Sequence, residues 1–212
     1  MPTSLEDKVA VITGGSAGIG REVALNLAKA GMNIVLAARS LDKLQAVAEE
    51  LRVSGVRVLI VPTDISRQED RERLIATTVS EFGGIDVLVN NAGIEAFQAF
   101  HEIPPEQILA TLETNMVGTV MLTRLAIPHM LTRPWARIIN MSSTSALQAP
   151  PFGATYCATK AGMYQFSLAL RLEYVGTSLS ATAICPGFTQ DGGIYETIKQ
   201  EMGRGVPWLL RG

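Results

Sequence analysis

Six short apolar runs, each followed by a turn and then a more polar stretch, alternate along this sequence. The runs cover residues 9–12, 34–38, 56–61, 85–89, 137–141 and 179–185. Apolar residues follow one another in these runs with little polar alternation, which is typical of strands buried on both faces of a parallel sheet. The pattern therefore predicts six buried, parallel strands.

The segments between the runs have the composition of helices. They cover residues 18–30, 41–54, 67–82, 106–131 and 155–175. Strands that alternate with helices form successive βα units, and right-handed crossovers then place helices on both faces of the sheet. No linker, low-complexity tract or internal repeat interrupts the alternation, so we predict one doubly wound α/β domain over residues 1–212.

Composition and charge exclude several classes of protein. The 212 residues are 47% hydrophobic and only 18% charged, which excludes a disordered chain. The net charge of −2 argues against a nucleic-acid partner. No apolar run approaches the roughly 18 residues of a membrane span, and the first residues do not form a secretory signal. The two cysteines, Cys157 and Cys185, give neither a disulfide framework nor the spacing of metal ligands. We therefore expect a cytoplasmic protein with no metal site.

Small, polar and glycine residues follow the predicted strands. In chain order these are residues 13–20, Arg39, Asp64, residues 90–93, residues 142–143 and residues 186–187. The carboxyl ends of parallel strands lie along one edge of an open sheet, where ligands bind at the topological switch point. The sequence thus predicts a ligand site assembled from six separate turns.

The turn after the first strand has the spacing G-x-x-x-G-x-G, with Gly14, Gly18 and Gly20. Glycines let the backbone approach a pyrophosphate closely, and the following helix offers free N–H groups to it. A tight turn without a ligand has the same composition, so the loop alone leaves both interpretations open.

Arg39 stands where an NAD-selective protein carries an acidic residue that accepts from the ribose hydroxyls. An arginine at this point can pair with a 2′-phosphate, although a solvated loop arginine is the alternative. Because residues 37–39 contain no acid, we predict a preference for NADP(H) over NAD(H).

Tyr156 and Lys160 are four residues apart in a predicted helix, so both lie on one face. A free tyrosine titrates near pH 10, and a lysine ammonium beside it favours the phenolate. Such a tyrosine can give a proton to a carbonyl oxygen or take one from an alcohol. Ser143, at a predicted strand end, can polarise the same oxygen. The Y-x-x-x-K spacing is weak evidence alone and gains weight from Ser143 and the glycine loop.

Taken together, these residues resemble the short-chain dehydrogenase/reductase family, in its compact single-domain branch. The matching pieces are Thr13-Gly14-x-x-x-Gly18-Ile19-Gly20, Asp64-Ile65, Asn90-Asn91-Ala92-Gly93, Asn115-x-x-Gly118, Ser143, Tyr156-x-x-x-Lys160 and Pro186-Gly187. The resemblance extends from about residue 6 to residue 190. It implies a Rossmann-type sheet of order 3-2-1-4-5-6 and hydride transfer between the nicotinamide C4 and a carbonyl carbon.

The resemblance also implies roles for individual residues. Tyr156 would be the general acid in reduction and the general base in oxidation. Lys160 would lower the pKa of Tyr156 and hold the nicotinamide ribose. Ser143 would steady the substrate oxygen, and Asn115 would bind a water that links Lys160 to solvent. The implied cofactor-binding residues are Gly14, Ser16, Gly18, Ile19, Gly20, Arg39, Asp64, Ile65, Asn91, Ala92, Gly93, Tyr156, Lys160, Pro186 and Gly187.

The sequence departs from the family pattern near its end. The family usually continues after the Pro-Gly turn with a substrate-covering segment, a helix and a last strand, whereas this sequence stops at Gly212. We therefore expect residues 188–212 to cover the substrate and the last strand to be missing. The substrate pocket is expected from residues 94–97, 146–152 and 188–202, which are mostly apolar.

Three functions are compatible with these residues. The first is an NADP(H)-dependent oxidoreductase acting on a small-molecule carbonyl compound or secondary alcohol. The alternative is a dinucleotide-binding protein without turnover, whose shortened C-terminus does not close over substrate. An epimerase or dehydratase that uses the same tyrosine is the third. The helices over residues 106–131 and 155–175 resemble the dimer seam of the family, so we also expect a homodimer or homotetramer.

Overall fold

A computed structural model describes residues 4–95 and 97–187 of the chain. Within this range six parallel strands form one sheet of order β3-β2-β1-β4-β5-β6. The strands are β1 (Val9–Thr13), β2 (Asn33–Ala38), β3 (Val58–Pro62), β4 (Val87–Asn90), β5 (Ala136–Met141) and β6 (Leu179–Ile184). The predicted number, direction and order of the strands are confirmed. The segment predicted to cover the substrate, residues 188–212, lies outside the described residues.

Helices pack on both faces of the sheet. They are α1 (Gly18–Lys29), α2 (Leu41–Arg52), α3 (Gln68–Phe82), α4 (Pro105–Leu112), α5 (Thr119–Leu131) and α6 (Ala154–Glu173). Along β1, Val9 and Val11 belong to the apolar cluster that packs on α3, α5 and α6, whereas Ala10 and Ile12 belong to the cluster under α1 and α2. Both faces of the strand are therefore buried, which explains why its sequence lacks a polar alternation.

The helix predicted over residues 106–131 is not continuous. A π-helix (Glu113–Gly118) separates α4 from α5, and it carries the buried Asn115. The turn after β3 lies directly against the end of this π-helix, because a Cβ added to Gly118 would lie 2.4 Å from the carbonyl oxygen of Ile65. Wide turns of this kind occur frequently at functional sites. The π-helix therefore marks where the helix faces the strand ends.

The strand order reverses between β1 and β4, which lie side by side at the centre of the sheet: β2 and β3 lie on one side of this pair, and β5 and β6 on the other. Ala10 pairs with Ile34 of β2 on one side and with Val87 of β4 on the other. This is the topological switch point, at which open α/β sheets bind ligands. No helix among the described residues is long and apolar enough to cross a membrane.

Candidate active site

A cavity of about 460 Å³ opens at the carboxyl ends of the strands. Its lining comes from the turns after all six strands, as predicted from the positions of the small and polar residues. Of the predicted site residues, it contains Gly14, Ser16, Gly18, Ile19, Arg39, Asp64, Ile65, Asn91, Ala92, Gly93, Ser143, Tyr156, Lys160, Pro186 and Gly187. Asn115 and Gly20 lie behind this lining.

The glycine loop brings bare backbone to the cavity wall. Gly14 has a φ of +65°, and a Cβ added there would lie 2.7 Å from Asn91 Nδ2, so only glycine fits without displacement. Helix α1 begins at Gly18, with no acidic residue in its first turn and no side chain capping its N–H groups. Free N–H groups and the positive end of a helix dipole favour a phosphate. The loop therefore fits the pyrophosphate of a dinucleotide.

Gly20 packs behind the loop and does not line the cavity; that it contacts the cofactor stays a prediction. A Cβ at Gly20 would lie 2.3 Å from the carbonyl oxygen of Gly14 and 2.5 Å from Asn91 Nδ2. Residue 20 must therefore be small, because helix α1 packs directly against the glycine turn that precedes it. Gly20 contributes to a ligand site by allowing Gly14 to take its position.

Hydrogen bonds fasten the turn after β4 to the turn after β1. Thr13 Oγ1 accepts from the N–H groups of Asn91 at 3.0 Å and Ala92 at 3.1 Å. The Asn91 side-chain amide donates to the carbonyl oxygens of Thr13 at 3.1 Å and Gly14 at 3.2 Å. These contacts fix the two walls of the cavity on either side of the switch point.

Two cationic side chains line the end of the cavity beside β2. Arg39 follows β2, and Lys43 lies in the first turn of α2, four residues later. Neither forms an ion pair within the described part of the chain. Sequence reasoning missed Lys43, although its spacing from Arg39 was the available signal. A phosphate at this end would be held by two cations.

Tyr156 and Ser143 meet at the other end of the cavity. The Tyr156 ring is buried, with 6% of its surface exposed, and it packs against Phe97 with ring centroids 5.9 Å apart. Ser143 follows β5, lines the same cavity and is close enough to the Tyr156 hydroxyl to lower its pKa. Two hydroxyl groups from different elements thus converge on one point, as hydroxyls that bind a common oxygen atom must.

Lys160 lies one turn after Tyr156 on the buried face of α6. Its Nζ donates to the Met141 carbonyl oxygen at 2.8 Å and lies 5.5 Å from the centroid of the Tyr156 ring. A Cβ added to Gly93 would lie 3.6 Å from the same Nζ. Burial lowers the pKa of Lys160 from its ordinary value of 10.5 to about 8, and the charge of Glu95 opposes this effect.

The pKa of Tyr156 shifts in the direction opposite to the prediction. Burial raises it to about 12, the hydrogen bond from Ser143 lowers it, and the negative charge of Glu95 raises it further. Sequence reasoning considered only the nearby ammonium of Lys160, but the cost of charging a buried phenol is larger here. At neutral pH the phenol is therefore protonated and able to donate a proton.

Asn115 holds the backbone of the cavity wall from behind. Its Oδ1 accepts from the Ile94 N–H at 2.8 Å, and its Nδ2 donates to the Ile94 carbonyl at 2.7 Å and to Thr159 Oγ1 at 3.3 Å. The π-helix turns this side chain towards the strand ends. That Asn115 also binds a water beside Lys160 stays a prediction.

The substrate end of the cavity differs from the prediction in two ways. Residues 94–97 contribute Ile94, Glu95 and Phe97, but residues 146–152 do not line the cavity, and Thr144 and Ser145 take their place. The chain after Ser143 forms a short 3-10 turn, which carries the following residues away. Glu95 also places a carboxylate among residues that were expected to be apolar.

Comparison with known proteins agrees with this geometry. Residues 8–202 match the family described as short chain dehydrogenase, and the chain belongs to that family. A D-beta-hydroxybutyrate dehydrogenase from Cupriavidus necator is 38% identical over 186 residues, which span 87% of this chain and 71% of the relative.

Two solved structures share the fold. An L-sorbose reductase from Gluconobacter frateurii, complexed with NADPH and L-sorbose, is 35% identical with a TM-score of 0.89, over 96% of this chain and 78% of that chain. An NAD+-bound xylitol dehydrogenase is 26% identical, also with a TM-score of 0.89, over 96% of this chain and 79% of that chain.

Membership of this family makes the protein an oxidoreductase that acts on small molecules with an NAD(P) cofactor. The predicted family, fold and enzyme class are therefore confirmed. Nothing in these comparisons supports the alternative of a dinucleotide-binding protein without turnover.

Proposed function

We propose that the chain transfers hydride between NADP(H) and a ketone or secondary alcohol, with carbonyl reduction favoured at neutral pH. The observation that carries this proposal is the convergence of Ser143 and Tyr156 in the cavity that the glycine loop lines. When bound, the nicotinamide would supply the hydride to the carbonyl carbon. Every proton step falls to side chains of the chain itself.

In reduction, the hydroxyls of Ser143 and Tyr156 hold the substrate oxygen. As negative charge develops there, Tyr156 donates its proton to that oxygen. The ammonium of Lys160, 5.5 Å from the ring centroid, stabilises the phenolate that forms. Because the pKa of Tyr156 is raised to about 12, the required proton is present throughout the neutral range. Oxidation of an alcohol needs the phenolate first and is favoured by higher pH.

A steady-state assay tests this function directly. The wild-type protein is incubated with NADPH and a panel of aliphatic, hydroxylated and aromatic ketones, and oxidation of NADPH is followed at 340 nm together with the alcohol product. At least one ketone is expected to be reduced with equal amounts of alcohol and NADP+ formed. Product without net consumption of the cofactor would point to an epimerase or dehydratase instead.

The preference for NADP(H) rests on Arg39 and Lys43 at the β2 end of the cavity. The similar L-sorbose reductase is complexed with NADPH, which agrees with this preference, whereas the xylitol dehydrogenase holds NAD+. A 2′-phosphate would bind the two cations through charge-assisted hydrogen bonds, whereas NAD(H) offers them only hydroxyl groups.

Arg39→Asp is expected to reverse the cofactor preference. Losing a charge-assisted contact costs about 1.5–3 kcal/mol, so the kcat/KM ratio of NADPH to NADH should fall by roughly 10- to 100-fold. Arg52→Asp is a matched control, because Arg52 is exposed at the far end of α2 and does not line the cavity. An unchanged ratio in Arg39→Asp would remove Arg39 from cofactor selection.

We further propose a homodimer built on α4, α5 and α6. Large apolar side chains on these helices are exposed, among them Leu109 at 58%, Leu168 at 38% and Leu172 at 74%. Leu168 and Leu172 are one turn apart and form a continuous apolar strip, which is unusual on a free surface.

Light scattering is expected to give twice the chain mass of 22.7 kDa for the wild-type protein. The double variant Leu168→Glu/Leu172→Glu should give the monomer mass, because four charges would face one another across the interface. Val53→Glu, at an exposed apolar position outside these helices, should leave the mass unchanged. A wild-type mass near 22.7 kDa contradicts the proposal.

A further inference from the structure

The ring of Phe97 packs directly on the ring of Tyr156. The two planes are tilted by 47°, and the centroids are 5.9 Å apart. Tilted rings with centroids about 4.5–7 Å apart are the arrangement that aromatic pairs prefer. Both side chains line the cavity, yet only 6% of Tyr156 is exposed. Phe97 therefore covers a part of the Tyr156 ring that the cavity would otherwise open to solvent.

Gly153, at the start of α6, leaves room for the Phe97 ring. A Cβ added to Gly153 would lie 2.8 Å from Cε1 and 3.2 Å from Cζ of Phe97. The φ of Gly153 is −109°, a negative angle that residues with a side chain also adopt, so its backbone does not require glycine. What the structure needs at this position is the missing side chain, because the tip of the Phe97 ring fills its place.

A backbone hydrogen bond joins the two segments that carry these residues. The N–H of Gln98, in the loop after β4, donates to the carbonyl oxygen of Phe152, in the turn before α6, at 3.0 Å. Phe152 has a φ of +68°, in the left-handed region that a residue with a Cβ rarely adopts. Such a conformation persists where surrounding contacts enforce it, and it is frequent near active sites. The hydrogen bond thus holds the loop so that Phe97 stays over Gly153.

Tyr156 also meets Ser143 and Lys160, but these residues act on it through a hydroxyl and a charge. The Lys160 ammonium lies 5.5 Å from the Tyr156 ring centroid and is itself fixed to the Met141 carbonyl oxygen. Proton transfer further requires that the Tyr156 hydroxyl point at the substrate oxygen, and a displacement of about 1 Å costs about 10²-fold in rate. Packing against a second ring is the contact that restrains the direction of the Tyr156 ring.

We propose that Phe97, seated over Gly153, is a positioning residue that aims the Tyr156 hydroxyl at the substrate oxygen. This inference rests on the proposed function, since it assumes that Tyr156 is the proton donor. Phe97 itself exchanges no proton and acts through Tyr156. Its removal should therefore slow the chemical step, whatever the size of the ketone, and leave cofactor binding unchanged.

The kinetic test compares Phe97→Ala with the wild-type protein on butanone and 4-phenylbutan-2-one, which share a methyl ketone and differ in bulk. The value of kcat should fall by roughly 10- to 100-fold for both ketones, and KM for NADPH should change by less than about threefold. Phe100→Ala is the matched control, because Phe100 follows in the same loop, is 58% exposed and does not line the cavity. A loss confined to the larger ketone would make Phe97 a wall for the substrate and would overturn the proposal.

Two double-mutant cycles separate positioning from a general loss of structure. Gly153→Ala adds a methyl group that overlaps the Phe97 ring, so it should lower kcat by itself and by less than about threefold in the Phe97→Ala background. Phe97→Ala should likewise lower the residual rate of Tyr156→Phe by less than about threefold. Full additivity in either cycle would overturn the proposal, because Phe97 would then act independently of Gly153 or of Tyr156.

Thiol labelling gives a readout that does not need turnover. The Sγ of the buried Cys157 would lie 3.5 Å from the same added Cβ on Gly153, beside the Phe97 ring. In a Cys185→Ser background, Phe97→Ala and Gly153→Ala should each speed the reaction of Cys157 with dithiobis(nitrobenzoic acid) by about tenfold or more, and Phe100→Ala should not. This result supports the seating of Phe97 even if neither ketone is reduced, which would count against the proposed function only. Labelling at the wild-type rate in both variants would overturn the seating and the proposal.

Discussion

Tyr156→Phe is expected to lower kcat/KM for carbonyl reduction by about 10²- to 10⁴-fold, which is the range for removing a positioned general acid. The variant removes one hydroxyl from a ring that is 6% exposed and packed against Phe97, so the ring itself should stay in place. Steady-state kinetics with the preferred ketone measure the loss. The affinity for NADPH, measured by fluorescence titration, should change by less than about threefold.

Tyr164→Phe provides the control for this variant. Tyr164 lies two turns further along α6 and does not line the cavity, so its hydroxyl has no route to the substrate. Activity within about a factor of two of wild type is expected. If Tyr156→Phe kept wild-type activity as well, the proton would have to come from another group, and the proposed mechanism would be wrong.

Lys160→Met should lower kcat/KM for reduction by about 10²-fold at pH 7, because a unit charge 5–6 Å from a forming phenolate is worth about 3 kcal/mol at an effective dielectric constant of about 20. The pH profile gives a sharper measurement. The pKa of Lys160 is lowered to about 8, so the ammonium is present below pH 8 and is lost above it. Wild-type reduction is therefore expected to decline as the pH rises through about 8. In the variant this step should disappear.

As the pH rises above 8, the free energy of unfolding of the wild-type protein should increase while its reductase activity declines. Burial lowers the pKa of Lys160 from 10.5 to about 8, so below pH 8 the folded protein holds a charge that it disfavours by up to about 3 kcal/mol. The unfolded chain binds more protons between pH 8 and pH 10.5, so the wild-type stability contribution of Lys160 rises across this range.

Urea unfolding of both proteins at pH 7 and pH 10 measures this difference. Lys160→Met removes the buried charge, which costs up to about 3 kcal/mol at pH 7, but it leaves the Met141 carbonyl without its donor. Because the loss of one hydrogen bond costs about 1–3 kcal/mol, the variant should be at least as stable as the wild-type protein at pH 7. The advantage should shrink at pH 10. A variant that is both less active and clearly less stable at pH 7 would identify Lys160 as a structural residue.

The sheet and its site edge could be predicted from the sequence because each depends on local signals. The uninterrupted apolar runs identify buried parallel strands, and the order of turns then brings Gly14, Asn91 and Tyr156 to one edge. Spacing alone, however, carries no information about burial. The raised pKa of Tyr156 follows from how deeply its side chain is buried, and no pair of residues four apart reveals that depth.

The π-helix and the shape of the substrate end were not predicted for different reasons. One additional residue in the turn around Asn115 barely changes the apolar periodicity, so residues 106–131 look like a regular helix. The turn after Ser143 depends on backbone angles that the sequence does not specify, and it removes residues 146–152 from the cavity. Glu95 was overlooked because it stands among apolar neighbours.

The pairing of β1 with β4 has a consequence for how this enzyme is made. Ala10 pairs with Val87, which is synthesised 77 residues later, so β1 and β4 cannot pair until the ribosome has released Val87. Until then the nascent chain exposes the apolar edge of β1, and such non-local pairing is slow and prone to aggregation. Thr13 and Asn91 come together only in that closing event, so the capacity to bind a dinucleotide appears late and reports completed folding. Refolding followed by cofactor fluorescence should therefore lag behind recovery of helical circular dichroism.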